Sequence, residues 1–260
     1  MTLQYARPYL LRAGINVLGE NGKQQKDHLV TEIRNRKSLG ANQPDSDKGA
    51  KDIISELQNI HLVIIEESNL VRLSSEDDIP GGREGVFLHT GKQVAETVDT
   101  RTQMDRLFTN LAHEYPELII ITKFIFRNGP VKDHEIKREF DGQTFRGNKM
   151  NEFTLSMSQH ILRDSGVIED TDRGVVGASW PEQAFAHILG EEFNDLTDGD
   201  DSKNVKEPVL FERLETMYGV DRNTFDRLLS RLQRYGIVAE GSYEEMTIDL
   251  SALMEAHIYE

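Results

Sequence analysis

Asn223-Thr-Phe-Asp-Arg-Leu-Leu-Ser-Arg-Leu-Gln-Arg-Tyr-Gly236, followed by Ile237-Val-Ala-Glu-Gly-Ser-Tyr-Glu-Glu-Met-Thr-Ile-Asp-Leu250, decides how this chain is read. Phe225, Leu228, Leu229 and Leu232 recur at the spacing of one helix face. Tyr235-Gly236 stops that helix, because glycine takes up the left-handed conformation that ends one. Ile237-Val238 and Met246-Thr-Ile248 then read as two short strands around a polar turn. At about 100° per residue, Arg227, Arg231 and Arg234 project opposite the apolar side, with Asn223 and Ser230 beside them.

The same pattern recurs at 47–74 and, more loosely, at 151–179. In the first, Asp47 is placed to cap a helix with Ala50, Ile53, Ile54, Leu57 and His61 as its core positions, and strands follow at 61–65 and 70–73. In the second, Phe153, Met157 and Ile161 lie on one side of a helix and Leu155 and Leu162 nearly opposite. Such a helix packs against another segment of the chain or against another subunit. Around these patterns the chain divides into 1–75, a connecting strand and helix over 76–116, 117–180, an acidic linker over 181–207, and 208–260. Gly85 to Thr90 reads as a strand, Gln93 to His113 as one helix, and Leu118 to Phe126 as a helix or a strand. The linker is a solvated spacer or a docking site for a basic partner.

The chain has 260 residues, no cysteine and a net charge of −15. No apolar run reaches the roughly 18 residues of a membrane span, and the longest, 118–126, contains Lys123. The N-terminus lacks the apolar core of a signal peptide, so a cytoplasmic protein is expected. Disulfides, thiolate catalysis and Cys-ligated zinc are excluded. The charge is uneven: ten Lys/Arg against nine Asp/Glu over 1–75 (10 − 9 = +1), but two against eight over 181–207 (2 − 8 = −6).

Signs of catalysis are weak. Gly85-Val-Phe-Leu-His-Thr-Gly-Lys-Gln93 has one residue too many between its glycines for a phosphate loop, and Gln where Ser or Thr would bind magnesium. Asp195 to Asp201 lacks the alternating ligands of a calcium loop. No histidine pair has zinc spacing, and no Gly-x-Ser-x-Gly turn occurs. Asp133-His-Glu135-Ile-Lys137 has the residue types of a metal-dependent nuclease, without a partner aspartate before it.

The arrangement at 47–74 and 208–250 resembles the winged-helix superfamily, through Phe225, Leu228, Leu229 and Leu232, Tyr235-Gly236, Ile237-Val238 and Met246-Thr-Ile248. The resemblance implies a mainly α fold with short β-hairpins, built as tandem winged-helix (helix-turn-helix-like) modules, that meets DNA or a protein and performs no chemistry. The expectation is a non-enzymatic DNA-binding protein without cofactor or metal, acting as a regulator or in a DNA-handling complex. Its contacts are Asn223, Arg227, Ser230, Arg231 and Arg234, supported by the basic residues Lys23, Lys26, Arg34, Arg36 and Lys37. The alternative is a protein–protein scaffold or homo-oligomer. Acidic tandem winged-helix proteins include the kleisin-interacting subunits of SMC complexes, and that resemblance implies a scaffold in a condensin-like or antiviral defence assembly. A third segment is more than such subunits usually have.

Overall fold

The computed structural model describes residues 7–36, 44, 46–80, 87–145, 148–200, 203–241 and 244–250. Among these are eleven α-helices and small antiparallel sheets, and no helix is long and apolar enough to cross a membrane. The chain forms two compact units: Met1–Tyr115 with Ser156–Ser165, and Pro116–Leu155 with Gly166–Glu260.

The first unit runs α1 (Pro8–Asn21), β1 (Gln24–Gln25), α2 (Lys26–Arg34), α3 (Asp47–Asn59), β2 (Val63–Ile65), β3 (Leu70–Leu73), α4 (Gly91–Ala95) and α5 (Thr100–Glu114). Pro8 opens α1, where its missing N–H costs nothing and its fixed φ suits the first turn. Leu11, Ile15 and Leu18 of α1 are fully buried with Ile53, Ile54 and Leu57 of α3. Gly14 permits this packing, since a Cβ there would sit 2.8 Å from Leu57 Cδ1. Ser46, rather than Asp47, caps α3, its hydroxyl accepting from Gly49 N at 3.3 Å. Where one helix was expected over 93–113 there are two, because Asp99 caps a new one through Thr102 N. Residues 87–90 are not a strand, and 85–86 lie outside the described residues.

The second unit runs α6 (Glu117–Asn128), α7 (Asp133–Phe140), β4 (Thr144–Phe145), β5 (Asn148–Lys149) and the first turn of α8 (Glu152–Asp164), whose later turns belong to the first unit. It continues with β6 (Ile168–Thr171), β7 (Gly174–Gly177), α9 (Glu182–Thr197), β8 (Val205–Lys206), α10 (Glu207–Tyr218), α11 (Arg222–Arg234), β9 (Val238–Glu240) and β10 (Glu245–Ile248). The apolar run 118–126 is therefore helical. The acidic linker is the largest correction. Glu182–Thr197 are a core helix, with Phe185, Ile188, Leu189 and Phe193 fully buried. Its acidic residues conceal that periodicity. Glu192 is itself buried, held by Arg213 and by Tyr218 Oη donating at 3.0 Å. Burial alone would raise the Glu191 carboxyl, but His187 and Lys123 beside it hold it down at about 2.

One register repeats three times. The order helix, short strand, helix, helix and two-stranded hairpin is met in α1 to β3, in α6 to β7 and in α9 to β10. In the middle copy the first strand is the single bridge Val131↔Val175, and a β4–β5 hairpin is inserted. Each third helix (α3, α8, α11) has 13 residues. Its fourth, seventh, eighth and eleventh positions are buried in every copy: Ala50, Ile53, Ile54, Leu57; Leu155, Ser158, Gln159, Leu162; Phe225, Leu228, Leu229, Leu232. Two residues after each helix ends the chain turns left-handed, at His61 (φ 62°), Gly166 (φ 70°) and Gly236 (φ 72°). A buried aliphatic follows, Leu62, Val167 or Ile237, and then the strand. From α3 to β3 and from α11 to β10 the numbering differs by a constant 175 (222 − 47), including the strand pairing.

Sheet register extends the match to the first strand. Gln24 pairs with Val71, Val131 with Val175 and Val205 with Met246. All three first-strand residues are buried, but neither amide atom of Gln24 has a hydrogen-bond partner among the described residues. A buried polar group left so costs about 1–3 kcal/mol. Gln24→Val, the residue of the other two copies, is expected to raise stability by about 1–3 kcal/mol. This would appear as a higher urea midpoint at unchanged slope. Gly236→Ala is expected to lower stability by about 1–2 kcal/mol. No atom lies within 4 Å of the added Cβ, so the loss would report the left-handed backbone alone.

Candidate nucleic-acid interface

The α11 helix begins with Asp221, whose carboxylate accepts from Thr224 N at 3.0 Å and fixes the first turn. Arg222 is tied down. It pairs with Glu207 and, at 2.8 Å, with Asp226, and its guanidinium lies 5.0 Å from the Phe211 ring centre. Arg231 pairs with Glu182 at 3.0 Å. This corrects the expectation of three outward arginines. Arg231 stands only about 110° from the centre of the buried face, on its flank, where Glu182 of α9 meets it. The opposite side carries Asn223, Arg227, Ser230 and Arg234, all exposed. Arg227 and Arg234 have no ion-pair or hydrogen-bond partner among the described residues. The hairpin tip beyond Gly241 falls at 242–243, outside the described residues.

The repeat explains why Arg231 turns aside. Its counterparts are Glu56 and Ile161, both buried. At this helix position the side chain meets a neighbouring element. Glu56 accepts from Tyr115 Oη at 2.6 Å within the first unit. The signal was present in the sequence, but only an alignment of the three helices reveals it.

The outward positions differ between copies. The matching residues are Lys48, Asp52, Ser55 and Asn59 on α3, and Phe153, Met157, His160 and Asp164 on α8. Lys48, Lys51, Ser55 and Gln58 are exposed on α3. On α8, Phe153 is 50% exposed and Met157 half-buried, so of the side expected to carry Phe153, Met157 and Ile161 only Ile161 is buried. Asp164 pairs with Arg7 within the first unit.

The supporting basic stretch is mostly neutralised. Lys23 pairs with Glu66 at 2.6 Å, Arg34 with Asp47 at 2.7 Å and Arg36 with Glu20 at 2.5 Å. Lys26 is half-buried, and Lys37 lies outside the described residues. These cations belong to the first compact unit and those of α11 to the second. Over 181–250 the chain carries seven Lys/Arg and sixteen Asp/Glu (7 − 16 = −9), so the α11 ridge is a local cationic strip on an acidic body.

Among the described residues no group of three or more His, Asp or Glu is arranged to hold a metal ion. A cleft of about 320 Å³ between Val131–Asp133 and the β6–β7 turn mixes Lys132 and Arg173 with Asp133, Asp170 and Asp172, and favours neither sign of ligand. Comparison with protein-family models, curated proteins and solved structures finds no match.

Glu56 supplies a pH test of the position it shares with Arg231. Burial raises its carboxyl above the usual 4.5, against the lowering effect of the Tyr115 hydrogen bond. The folded state therefore holds this proton more tightly than the unfolded chain. The resulting stabilisation is complete below pH 4.5 and is lost as pH rises through the folded value. Glu56→Gln keeps an acceptor for Tyr115 without titrating. Its stability relative to the parent is expected to improve as pH rises from 4.5 and to level off above the folded value in denaturant melts.

Proposed function

We propose that this chain is a non-enzymatic DNA-binding protein of tandem winged-helix type, acting as a regulator or as a subunit of a DNA-handling complex. The repeated order and register of three modules support the winged-helix reading. In that fold the third helix is the element offered to a groove. The observation that carries the DNA reading is the α11 ridge of Asn223, Arg227, Ser230 and Arg234, exposed and with both guanidiniums uncommitted among the described residues. Arginine forks onto the guanine edge or a phosphate, asparagine suits the adenine edge, and serine donates to either. Asp221 and Arg222 hold the first turn so that Asn223 and Arg227 are presented from a fixed helix. An acidic body confines contact to such a strip, so binding is expected to fall steeply with salt. A cytoplasmic location belongs to the same reading.

The second reading, a protein–protein scaffold of the condensin-like or antiviral kind, is favoured by one observation. The outward position that is Lys48 on α3 and Asn223 on α11 is the exposed Phe153 on α8. An apolar outward residue suits a protein partner better than phosphate. A Phe153→Ser variant that loses a co-purifying partner while keeping its DNA affinity would favour this reading.

Electrophoretic shifts at two salt concentrations test the DNA reading. Arg227→Ala and Arg234→Ala are each expected to weaken binding to a duplex and to reduce the salt slope by about 1. Arg231→Ala should leave the slope unchanged, because its charge already faces Glu182. Unchanged slopes in both the Arg227 and Arg234 variants would remove α11 as the contact surface.

A further inference from the structure

We infer that α3 carries a second contact to duplex DNA, made to phosphates alone through Lys48 and Lys51. The inference rests on the DNA-binding reading and adds a surface to it, in the other compact unit of the chain. Both lysines are exposed, and neither has a partner among the described residues. Their surroundings are the reverse: Lys23, Arg34 and Arg36 each hold a carboxylate of their own unit. Asp47, the nearest acid in sequence, is taken by Arg34, and no ion pair joins Asp52 to either lysine among the described residues. Lys48 also stands in the first turn of its helix, where the helix dipole opposes a cation. Helix stability therefore does not account for it.

The chemistry of this ridge differs from that of α11. A lysine ammonium is a point charge without the planar fork that reads a guanine edge. Asn59, the α3 side chain suited to adenine, is hydrogen-bonded to Glu56. Ser55 Oγ donates to Lys51 O at 3.0 Å, which leaves the Gln58 amide as the neutral donor beside the lysines. Such a surface holds the backbone without reading sequence. The α11 ridge, with Asn223 and Arg227, has the residue types that distinguish bases.

The test uses the full chain and two duplexes of equal length and different sequence, with affinity followed by fluorescence anisotropy from about 50 to 200 mM salt. Lys48→Ala with Lys51→Ala is expected to lower the salt slope by about 2 and to weaken both duplexes by the same factor. Lys48→Arg with Lys51→Arg should restore the slope. Asn223→Ala with Arg227→Ala should instead change the ratio between the two duplexes. Thermal melts of each variant would establish that the fold is retained. A wild-type slope in the Lys48/Lys51 double variant, alongside a reduced one in the Arg227 variant, would overturn the α3 contact and leave the α11 reading standing. Failure of the unmodified chain to bind either duplex would overturn both.

Discussion

The constraint on which this molecule depends is a 13-residue helix closed by a left-handed residue and a buried aliphatic, in the same register three times. Four inward positions fix the rotation of each helix about its axis. Burying one large apolar side chain is worth about 1.5–3 kcal/mol, so the four of α11, and the three that α3 sets beside Ala50, outweigh any preference of the outward residues. Once the inward set is anchored, the outward set follows at fixed angles. The left-handed residue then returns the chain as a strand beneath the helix. Which side chains can meet a ligand is thus decided by residues that never touch one.

That constraint sorts the charges. A cation opposite the buried face extends into solvent, as Arg227 and Arg234 do. One on the flank lies within reach of a neighbouring helix, and Arg231 finds Glu182 from 49 residues away. Surface ion pairs of this kind add little stability, typically under about 1 kcal/mol. Their effect here is to remove charge from the pool available to phosphate. Lys23, Arg34 and Arg36 are withdrawn in the same way. A count of basic residues along the sequence therefore overstates the cationic surface, and a net charge of −15 understates what a single helix ridge can present.

The third helices and their hairpins were legible in sequence because an apolar period and a stop coincide there, the stop being a glycine after α8 and α11 and the polar His61 after α3. Phe225, Leu228, Leu229 and Leu232 are the buried face, and Gly236 turns left-handed as its position implies. The first strands were not legible. Gln24–Gln25 and Val205–Lys206 are two residues long, and pairing with a distant hairpin makes them strands. The α9 helix was hidden because Glu191, Glu192 and Asp195 give it the composition of a spacer, although Phe185, Ile188, Leu189 and Phe193 keep a helical interval. The contact surface was legible in part. Opposition to the greasy side correctly marks Asn223, Arg227, Ser230 and Arg234 as exposed, but helix geometry alone says nothing of Glu182, which decides Arg231.

The three copies also show where such a scaffold is free to vary. The inward positions tolerate exchange among Ala, Ile, Leu and Phe, and in α8 accept Ser158 and Gln159. Ser158 Oγ has no hydrogen-bond partner there among the described residues. Helix α8 is thus the least apolar of the three on its inner side and the most apolar on its outer first turn, where Phe153 is exposed. Exposed positions carry little folding energy, so their chemistry can diverge at almost no cost to the fold. Lysines on α3, a phenylalanine on α8 and the asparagine–arginine ridge on α11 are three such outcomes on one frame. Any partner of this chain is selected by those outward residues, and the shared register ensures that each is held at the same angle to its own module.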